Sequence, residues 1–131
     1  MVILRSSGMK RDMGLLRKIL FLAEQKIVPL SVDEVYLEDY EKDMISYHFY
    51  LAGDAGLVRL AEEVSQKTKG LIRPYILAMT WIGHEFIDSS RDELVWEKAM
   101  RRMVKVSGSM PFDELMKLLK NLIHEIIYDK K

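Results

Sequence analysis

Apolar positions between residues 40 and 55 recur at spacings of three and four, the period of one face of an α-helix. Acidic residues lie in the first turn, where the helix dipole favours them, and Gly56 follows the last apolar position. Because glycine adopts the left-handed conformation without steric cost, we predict that Gly56 ends the helix and that Leu57 folds back onto its last turn. The predicted apolar face consists of Tyr40, Met44, Ile45, His48, Leu51, Ala52 and Ala55.

The pattern then changes to alternation of apolar and polar positions, over residues 58–64 and again over residues 72–79. These two runs flank a polar and basic loop, Ser65-Gln66-Lys67-Thr68-Lys69-Gly70. Alternation on both sides of a glycine-containing turn is typical of a β-hairpin. Pro74 cannot donate a ladder hydrogen bond, so we expect it near the start of its strand or facing a sheet edge.

Two further elements precede the central helix. Periodic apolar residues predict a first helix from about Lys10 to Gln25, and Pro29 prevents it from continuing. The segment from Ser31 to Glu38 has the composition of a strand, and we predict that it pairs with the hairpin in a three-stranded antiparallel sheet. Residues 1–8 lack periodicity and are predicted to be a flexible tail.

The chain after the hairpin has a helical pattern. One helix begins at Trp81, the string Ser90-Arg91-Asp92-Glu93 predicts a capping box for the next, and Ser107-Gly108-Ser109 ends it. The last helix begins near Pro111, a favoured first helical residue. Its apolar residues exceed the single stripe that a core requires, which predicts contact with a second subunit or with the rest of the domain on two sides. The predicted dimerisation residues are Leu115, Leu119, Leu122 and Ile126.

The order of helix, strand, helix and hairpin is that of a winged helix. We therefore predict an α+β, winged-helix-like fold with a three-stranded antiparallel sheet and a helical C-terminal extension. Residues 9–81 form the predicted winged-helix-like part, and residues 82–131 form an extension packed on it within one structural domain.

Composition narrows the classes of function. The 131 residues contain 20 Lys/Arg and 20 Asp/Glu, which excludes a globally basic nucleic-acid binder but leaves room for a local basic patch. The absence of cysteine excludes disulfides, zinc–thiolate sites and cysteine nucleophiles. No apolar run approaches the about 20 residues of a membrane span, and the first residues do not resemble a signal peptide. We expect a cytoplasmic protein with no membrane partner.

The charges are unevenly spread along the chain. Residues 1–27 carry six Lys/Arg and two Asp/Glu, a net charge of +4. Residues 28–66 carry two and nine, a net charge of −7, and residues 67–131 carry twelve and nine, a net charge of +3. The acidic segment contains the predicted central helix, which matters for any contact with DNA.

Few residues suggest catalysis or metal binding. His84, Glu85 and Asp88 share a helix but lack the second histidine of a zinc-protease motif. His48 lies on the apolar side of its helix, which favours a hydrogen-bonded core histidine over a catalytic base, and His124 is predicted to lie on the surface. We therefore expect no cofactor, no metal site and no enzymatic activity.

Leu51 and six short strings lie between Met9 and about Leu122: Met9-Lys10-Arg11-Asp12-Met13, Tyr47-His48, Ala55-Gly56-Leu57, Thr80-Trp81-Ile82-Gly83-His84-Glu85-Phe86, Trp96-Glu97-Lys98 and Pro111-Phe112-Asp113. Together they resemble an uncharacterised bacterial and prophage-borne domain-of-unknown-function family, and the string beginning at Thr80 is the most specific. The resemblance implies a small winged-helix-like protein, often encoded in mobile elements, without established activity or catalytic residues. The family usually shows leucine where this chain has Met79, a conservative difference.

DNA binding is the first functional hypothesis. In a winged helix, the helix before the hairpin contacts DNA together with the hairpin loop, which is called the wing. Contacts to the DNA phosphates require lysine and arginine. The central helix has one cation, Lys42, close to several acids, so most contacts would have to come from the hairpin loop and the first helix. The predicted residues that bind double-stranded DNA are Lys10, Arg11, Lys18, Lys42, Lys67, Lys69 and Arg73.

The alternative is a protein–protein interaction or dimerisation module that does not bind DNA. The acidic central helix and the apolar excess of the last helix both agree with this alternative. The two hypotheses are compatible, because a dimeric regulator would use both surfaces. We predict a non-enzymatic, winged-helix DNA-binding or transcription-regulatory protein of bacterial or phage origin, with a homodimer or another protein as the alternative partner.

Overall fold

The computed structural model describes residues 10–27, 29–64, 69–106 and 110–128. The chain divides into two compact units, Met1–His84 and Glu85–Lys131, and the boundary falls inside a helix. The described elements confirm the predicted α+β class, with a three-stranded antiparallel sheet and a helical C-terminal segment. In chain order they are α1 (Met13–Gln25), β1 (Leu30–Ser31), a 3-10 helix (Val32–Glu34), α2 (Lys42–Asp54), β2 (Val58–Glu63), β3 (Arg73–Met79), α3 (Trp81–Ser90), α4 (Glu93–Lys105) and α5 (Phe112–Tyr128).

The start of α1 is set by Asp12, whose Oδ1 accepts a hydrogen bond from the Leu15 amide at 3.0 Å. The helix therefore begins three residues later than predicted. The Arg17 side chain is also buried, with its guanidinium 4.6 Å from the centre of the Phe21 ring. The buried apolar residues of α1 are Met13, Leu15, Leu16, Ile19 and Leu20.

The predicted strand from Ser31 to Glu38 is wrong beyond its first residue, because the chain turns into the 3-10 helix. A capping box makes this turn. The Ser31 Oγ accepts from the Asp33 amide at 3.1 Å, and the Glu34 Oε1 accepts from the Ser31 amide at 2.8 Å. The Lys26 ammonium also donates to Glu34 at 2.8 Å, and this hydrogen bond lowers the pKa of the Glu34 carboxyl.

The end of α2 is a Schellman motif, as the sequence predicts. Gly56 has a φ of 77°, and its amide donates to the Gly53 carbonyl at 3.0 Å. The Leu57 amide donates to the Ala52 carbonyl at 2.9 Å, and the Leu57 side chain is fully buried. The prediction that Gly56 ends this helix is confirmed.

The buried face of α2 is narrower than the predicted one, because Met44 and Leu51 are only partly buried and Tyr40 precedes the helix. Phe49 is fully buried but was not predicted to face the core, whereas Ala55, the C-cap residue, is exposed. The remaining buried residues of the helix are Ile45, His48 and Ala52.

The sheet has the order β1-β3-β2, and both pairings are antiparallel. Ile76 lies at its centre, opposite Leu30 on one side and Leu60 on the other, and a register shift follows Arg59. Pro74 is the second residue of β3, near the strand start as predicted. Both α1 and α2 contact β3, so the core of this unit lies between the two helices and the sheet.

The second unit has its own apolar core. The Phe86 ring lies 6.1 Å from the Trp96 ring and 5.4 Å from the Phe112 ring, measured between centroids. The predicted cap at Ser90 is wrong, because the Ser90 hydroxyl donates to the Phe86 carbonyl at 2.7 Å. Asp92 caps α4 instead, accepting from the Val95 amide at 2.9 Å. The predicted break at residues 107–109 lies outside the described residues.

Candidate nucleic-acid interface

The start of α2 is acidic on its exposed side. Glu38, Asp39, Glu41 and Asp43 are exposed, and the Lys42 ammonium donates to the Val32 carbonyl at 3.2 Å. A helix inserted into the major groove lies between two rows of phosphates, which repel carboxylates. The charge on α2 therefore disfavours the usual docking of a recognition helix.

The outward side of α2 is also tied to the sheet through Tyr50. Its hydroxyl donates to the Glu62 Oε2 at 2.6 Å. Burial and this hydrogen bond to a carboxylate raise the pKa of Tyr50 to about 12. The hydroxyl is thus protonated and engaged at physiological pH.

The cations near α1 are more accessible. Lys10 and Lys18 are exposed, and within the described residues neither forms an ion pair. The Lys18 ammonium lies 5.8 Å from the centre of the Tyr40 ring, a cation–π contact that leaves its charge near the surface. Arg11 is exposed and has an interaction within the chain.

The hairpin loop contributes one accessible described cation. Lys69 is exposed and has a φ of 57°, and Lys67 lies outside the described residues. Arg73, unlike Lys69, forms an ion pair. Its Nε is buried and lies 3.7 Å from the Asp33 Oδ2. Three of the predicted cations, Lys10, Lys18 and Lys69, are therefore both exposed and without an ion pair in the described part of the chain.

A second set of cations, not predicted as a binding surface, lies on α4. Lys98, Arg101, Arg102 and Lys105 are all exposed, and no ion pair involves them within the described ranges. Their spacings of three and four put them on one helix face about 100° wide. We call these four residues the α4 basic face. The net charge of a long segment does not indicate this face, because acids elsewhere in the segment offset its cations. The spacing of three and four residues between the cations does indicate it in the sequence.

Asp12, Tyr40 and His48 form a polar cluster where the N-terminus of α1 meets α2. The Asp12 amide donates to the His48 Nε2 at 2.8 Å, and the Tyr40 hydroxyl donates to the Asp12 Oδ2 at 3.1 Å. The His48 Nδ1 lies 2.9 Å from the Met44 carbonyl oxygen. Because an amide must donate and a carbonyl must accept, Nδ1 carries the ring proton and Nε2 does not.

Burial sets the protonation of this cluster. It lowers the pKa of His48, although the Met44 carbonyl and the Asp12 charge act in the opposite direction. Burial also raises the pKa of Tyr40, and the neighbouring Asp12 carboxylate adds to that shift. His48 is thus a neutral histidine with both ring nitrogens occupied, which agrees with a structural role and leaves no free base for catalysis.

The other candidate residues for chemistry do not converge. His84, Glu85 and Asp88 are exposed on α3, and Asp88 pairs with Arg91 at 2.9 Å. Among the described residues, no group of three or more histidine, aspartate or glutamate side chains is arranged to hold a metal ion. His124 is exposed, with its ring 4.4 Å from that of Tyr128. None of the described helices combines the length and hydropathy of a membrane span.

Comparison with known proteins identifies the family. Residues 10–109 match the family described as "Hypothetical protein (DUF2513)", and this match covers most of the chain. The chain belongs to the DUF2513 family. The chain is also 28% identical over 120 residues to an "Uncharacterized protein" of Haemophilus influenzae (strain KW20 / Rd), covering 91% of this chain and 99% of that relative. No solved structure matches the chain significantly.

In this DUF2513 chain, the string that begins at Thr80 joins the end of α2 to the start of α3. The Thr80 hydroxyl donates to the Gly56 carbonyl and accepts from the Gly83 amide, and the Thr80 amide donates to the Leu57 carbonyl at 3.0 Å. A Cβ at Gly83 would clash with the Leu57 carbonyl oxygen, so the close approach requires glycine. Trp81 is 77% exposed. Thr80 and Gly83 are thus structural, and Trp81 is available at the surface.

The predicted dimerisation residues of this family member lie mostly in its core. Leu115, Leu119 and Leu122 are buried within the chain and so cannot form a contact surface for a second copy. Their assignment as dimerisation residues is therefore corrected, and that prediction remains only for Ile126, which is partly exposed. Beyond it, Ile127 is 59% exposed.

Proposed function

We propose that this DUF2513 protein is a non-enzymatic, double-stranded-DNA-binding regulatory protein of bacterial or phage origin. The observation that supports the proposal is the sheet order β1-β3-β2 with α2 directly before the β2–β3 hairpin. This order of elements resembles that of a winged helix, a fold that often binds DNA, and the resemblance supports the proposal without determining function by itself.

The distribution of charge supports contacts to phosphates rather than reading of bases by α2. Lys10, Lys18 and Lys69 are exposed without ion pairs in the described residues, whereas the start of α2 is acidic. Contacts to phosphates position a protein on DNA but carry no sequence information. We therefore propose binding with weak sequence preference and strong dependence on salt.

The proposal is tested by measuring the affinity for a fluorescent 25-base-pair duplex between 50 and 200 mM NaCl. Four phosphate contacts, from Lys10, Lys18, Lys67 and Lys69, are by themselves expected to lower the affinity on the order of 100-fold over this range. The salt slope is the slope of the logarithm of the affinity against the logarithm of the salt concentration. In the double variant Lys67→Glu with Lys69→Glu, the magnitude of this slope decreases by about 2. Lys120→Glu is the control, because Lys120 is an exposed cation on α5. A wild-type protein that does not bind duplex DNA at 50 mM NaCl would contradict the proposal.

Self-association is the second candidate function, and the exposed apolar end of α5 favours it. Ile127 and Tyr128 are 59% and 64% exposed, next to the partly exposed Ile126. If α5 forms a dimer contact, wild-type protein sediments as a dimer and the Ile126→Glu, Ile127→Glu variant sediments as a folded monomer. A wild-type monomer at 200 μM would remove this candidate.

A further inference from the structure

We infer that the α4 basic face is a second surface for the nucleic-acid backbone, separate in sequence from the hairpin and from α1. The inference takes its ligand, double-stranded DNA, from the proposed function and adds a site to it. Its residues, Lys98, Arg101, Arg102 and Lys105, belong to the Glu85–Lys131 unit.

The lack of internal partners is the first argument. Two other cations in the same unit lie beside acids, Arg91 with Asp88 at 2.9 Å and Lys117 with Glu114 at 3.6 Å. The α4 basic face has no such partner within the described residues. Like charges three and four positions apart on a helix repel each other, and a bound polyanion removes this unfavourable term.

The dimensions of the face fit a duplex backbone. With a rise of 1.5 Å per residue, the seven steps from Lys98 to Lys105 span about 10 Å along the helix axis. Phosphates of one DNA strand are spaced about 3.4 Å along the duplex axis, so this length covers about three of them. Arg101 and Arg102 add planar guanidinium groups that bind phosphate oxygens in pairs.

The opposite side of α4 argues against a membrane as the polyanion. A helix that lies on a bilayer inserts its apolar face among the lipid chains. Here the residues that form that face are already buried in the protein, and the exposed apolar residues of α4, Leu94 and Val104, lie ten positions apart and form no continuous apolar face. The buried residues of α4 are Val95, Trp96, Ala99 and Met103.

The test neutralises two cations of the face and compares the result with a matched loss of charge. Arg101→Gln with Lys105→Gln is the test variant, and Arg91→Gln with Lys120→Gln is the control. All four side chains are exposed, so both proteins are expected to fold, which thermal unfolding checks. The test variant binds the 25-base-pair duplex about tenfold more weakly at 100 mM NaCl, and its salt slope falls by about 2. The control changes neither quantity.

Three results separate this inference from the proposed function. If the test variant binds like wild type while Lys67→Glu with Lys69→Glu binds weakly, the α4 surface is overturned and the proposed function stands. If the hairpin variant binds like wild type and the α4 variant does not, the α4 surface stands and the proposed site on the hairpin is overturned. If poly-L-glutamate displaces the duplex as well as unlabelled duplex does at equal charge, the assignment of this face to nucleic acid is overturned in favour of an acidic protein.

Discussion

His48 illustrates how a single side chain can link two helices and carry no charge. Its Nε2 accepts from the Asp12 amide at the start of α1, and its Nδ1 donates to a carbonyl of its own helix. Protonation of Nε2 would place a second N–H against the Asp12 amide, where no acceptor is available. The neutral form is therefore the one compatible with the fold.

This geometry predicts loss of stability in mild acid. The folded pKa of His48 lies below its value in the unfolded chain, about 6.5, so the unfolded state binds the proton more readily. The contribution of His48 is complete above about pH 6.5 and is lost as the pH falls through the folded pKa. Urea unfolding at pH 7.5 and pH 5.0 measures this loss.

The control for this prediction is His48→Gln, which cannot titrate. The substitution is expected to lower the free energy of unfolding by about 1–3 kcal/mol at neutral pH, through lost hydrogen bonds and ring packing. The variant should nevertheless show a smaller difference between the two pH values than wild type. His124→Gln, at an exposed position, should retain the wild-type difference. Equal pH dependence in wild type and His48→Gln would contradict the assignment.

Helical period alone places His48 on the apolar side of α2, and it explains why this histidine was predicted to be structural. It could not identify the partner, because Asp12 lies 36 positions away and belongs to another helix. Phe49 was missed for a related reason. Its burial depends on which neighbours cover the second flank of α2, and the local pattern of one helix does not contain that information.

At the scale of elements, α2 and α3 are joined by backbone contacts as well as by side chains. Thr80 bonds to the carbonyls of Gly56 and Leu57, so it holds the end of one helix and caps the next. Gly83 in the first turn of α3 lies against the Leu57 carbonyl oxygen. These contacts leave no room for a side chain at that position.

Two glycine substitutions in helices should therefore have opposite effects. Gly83→Ala forces backbone apart and should lower the free energy of unfolding by roughly 3 kcal/mol. Gly53→Ala puts a methyl group 3.4 Å from Leu60, an ordinary contact, and should raise it by up to about 1 kcal/mol through helix propensity. Urea unfolding of both variants at pH 7.5 provides the comparison. A Gly83→Ala protein as stable as wild type would show that the two helix ends are not tightly held.

Several element boundaries depended on competition between similar local signals. Ser90 and Asp92 are both good N-cap residues, and the choice follows from the Ser90 hydroxyl bonding back to Phe86. In the segment after Ser31, β-branched residues favoured a strand, but the capping box with Glu34 turned the chain into a 3-10 helix. The hairpin was predictable because apolar–polar alternation on both sides of a glycine-containing turn is compatible with few other structures. The end of α2 was predictable because a glycine after the last apolar position is suited to the left-handed conformation that ends a helix.

At the scale of the whole molecule, charges of opposite sign balance in number but are separated along the chain. The net charge is zero at pH 7, while residues 28–66 carry −7. A protein with no net charge lacks long-range repulsion between its copies, and unlike patches on different copies then attract each other. The uneven distribution was evident from the sequence, but exposure and pairing of each cation required coordinates.

Light scattering should detect the attraction between copies that follows from this lack of net charge. We expect net attraction between molecules, a negative second virial coefficient, at pH 7 and 20 mM salt, because electrostatic attraction between patches is weakly screened. Raising the salt to 200 mM, or the pH to 8.5, should make the coefficient more positive. A coefficient that becomes more negative with added salt would indicate that apolar contacts, rather than charges, dominate.

The close approach at residue 83 also has a use in comparing distant sequences. A relative that keeps this backbone needs glycine at the equivalent position, whatever happens to the exposed tryptophan two residues earlier. That position can therefore anchor an alignment where overall identity is low. A homologue with a larger residue there is expected to have a differently angled third helix, and its coordinates should not be inferred from this chain.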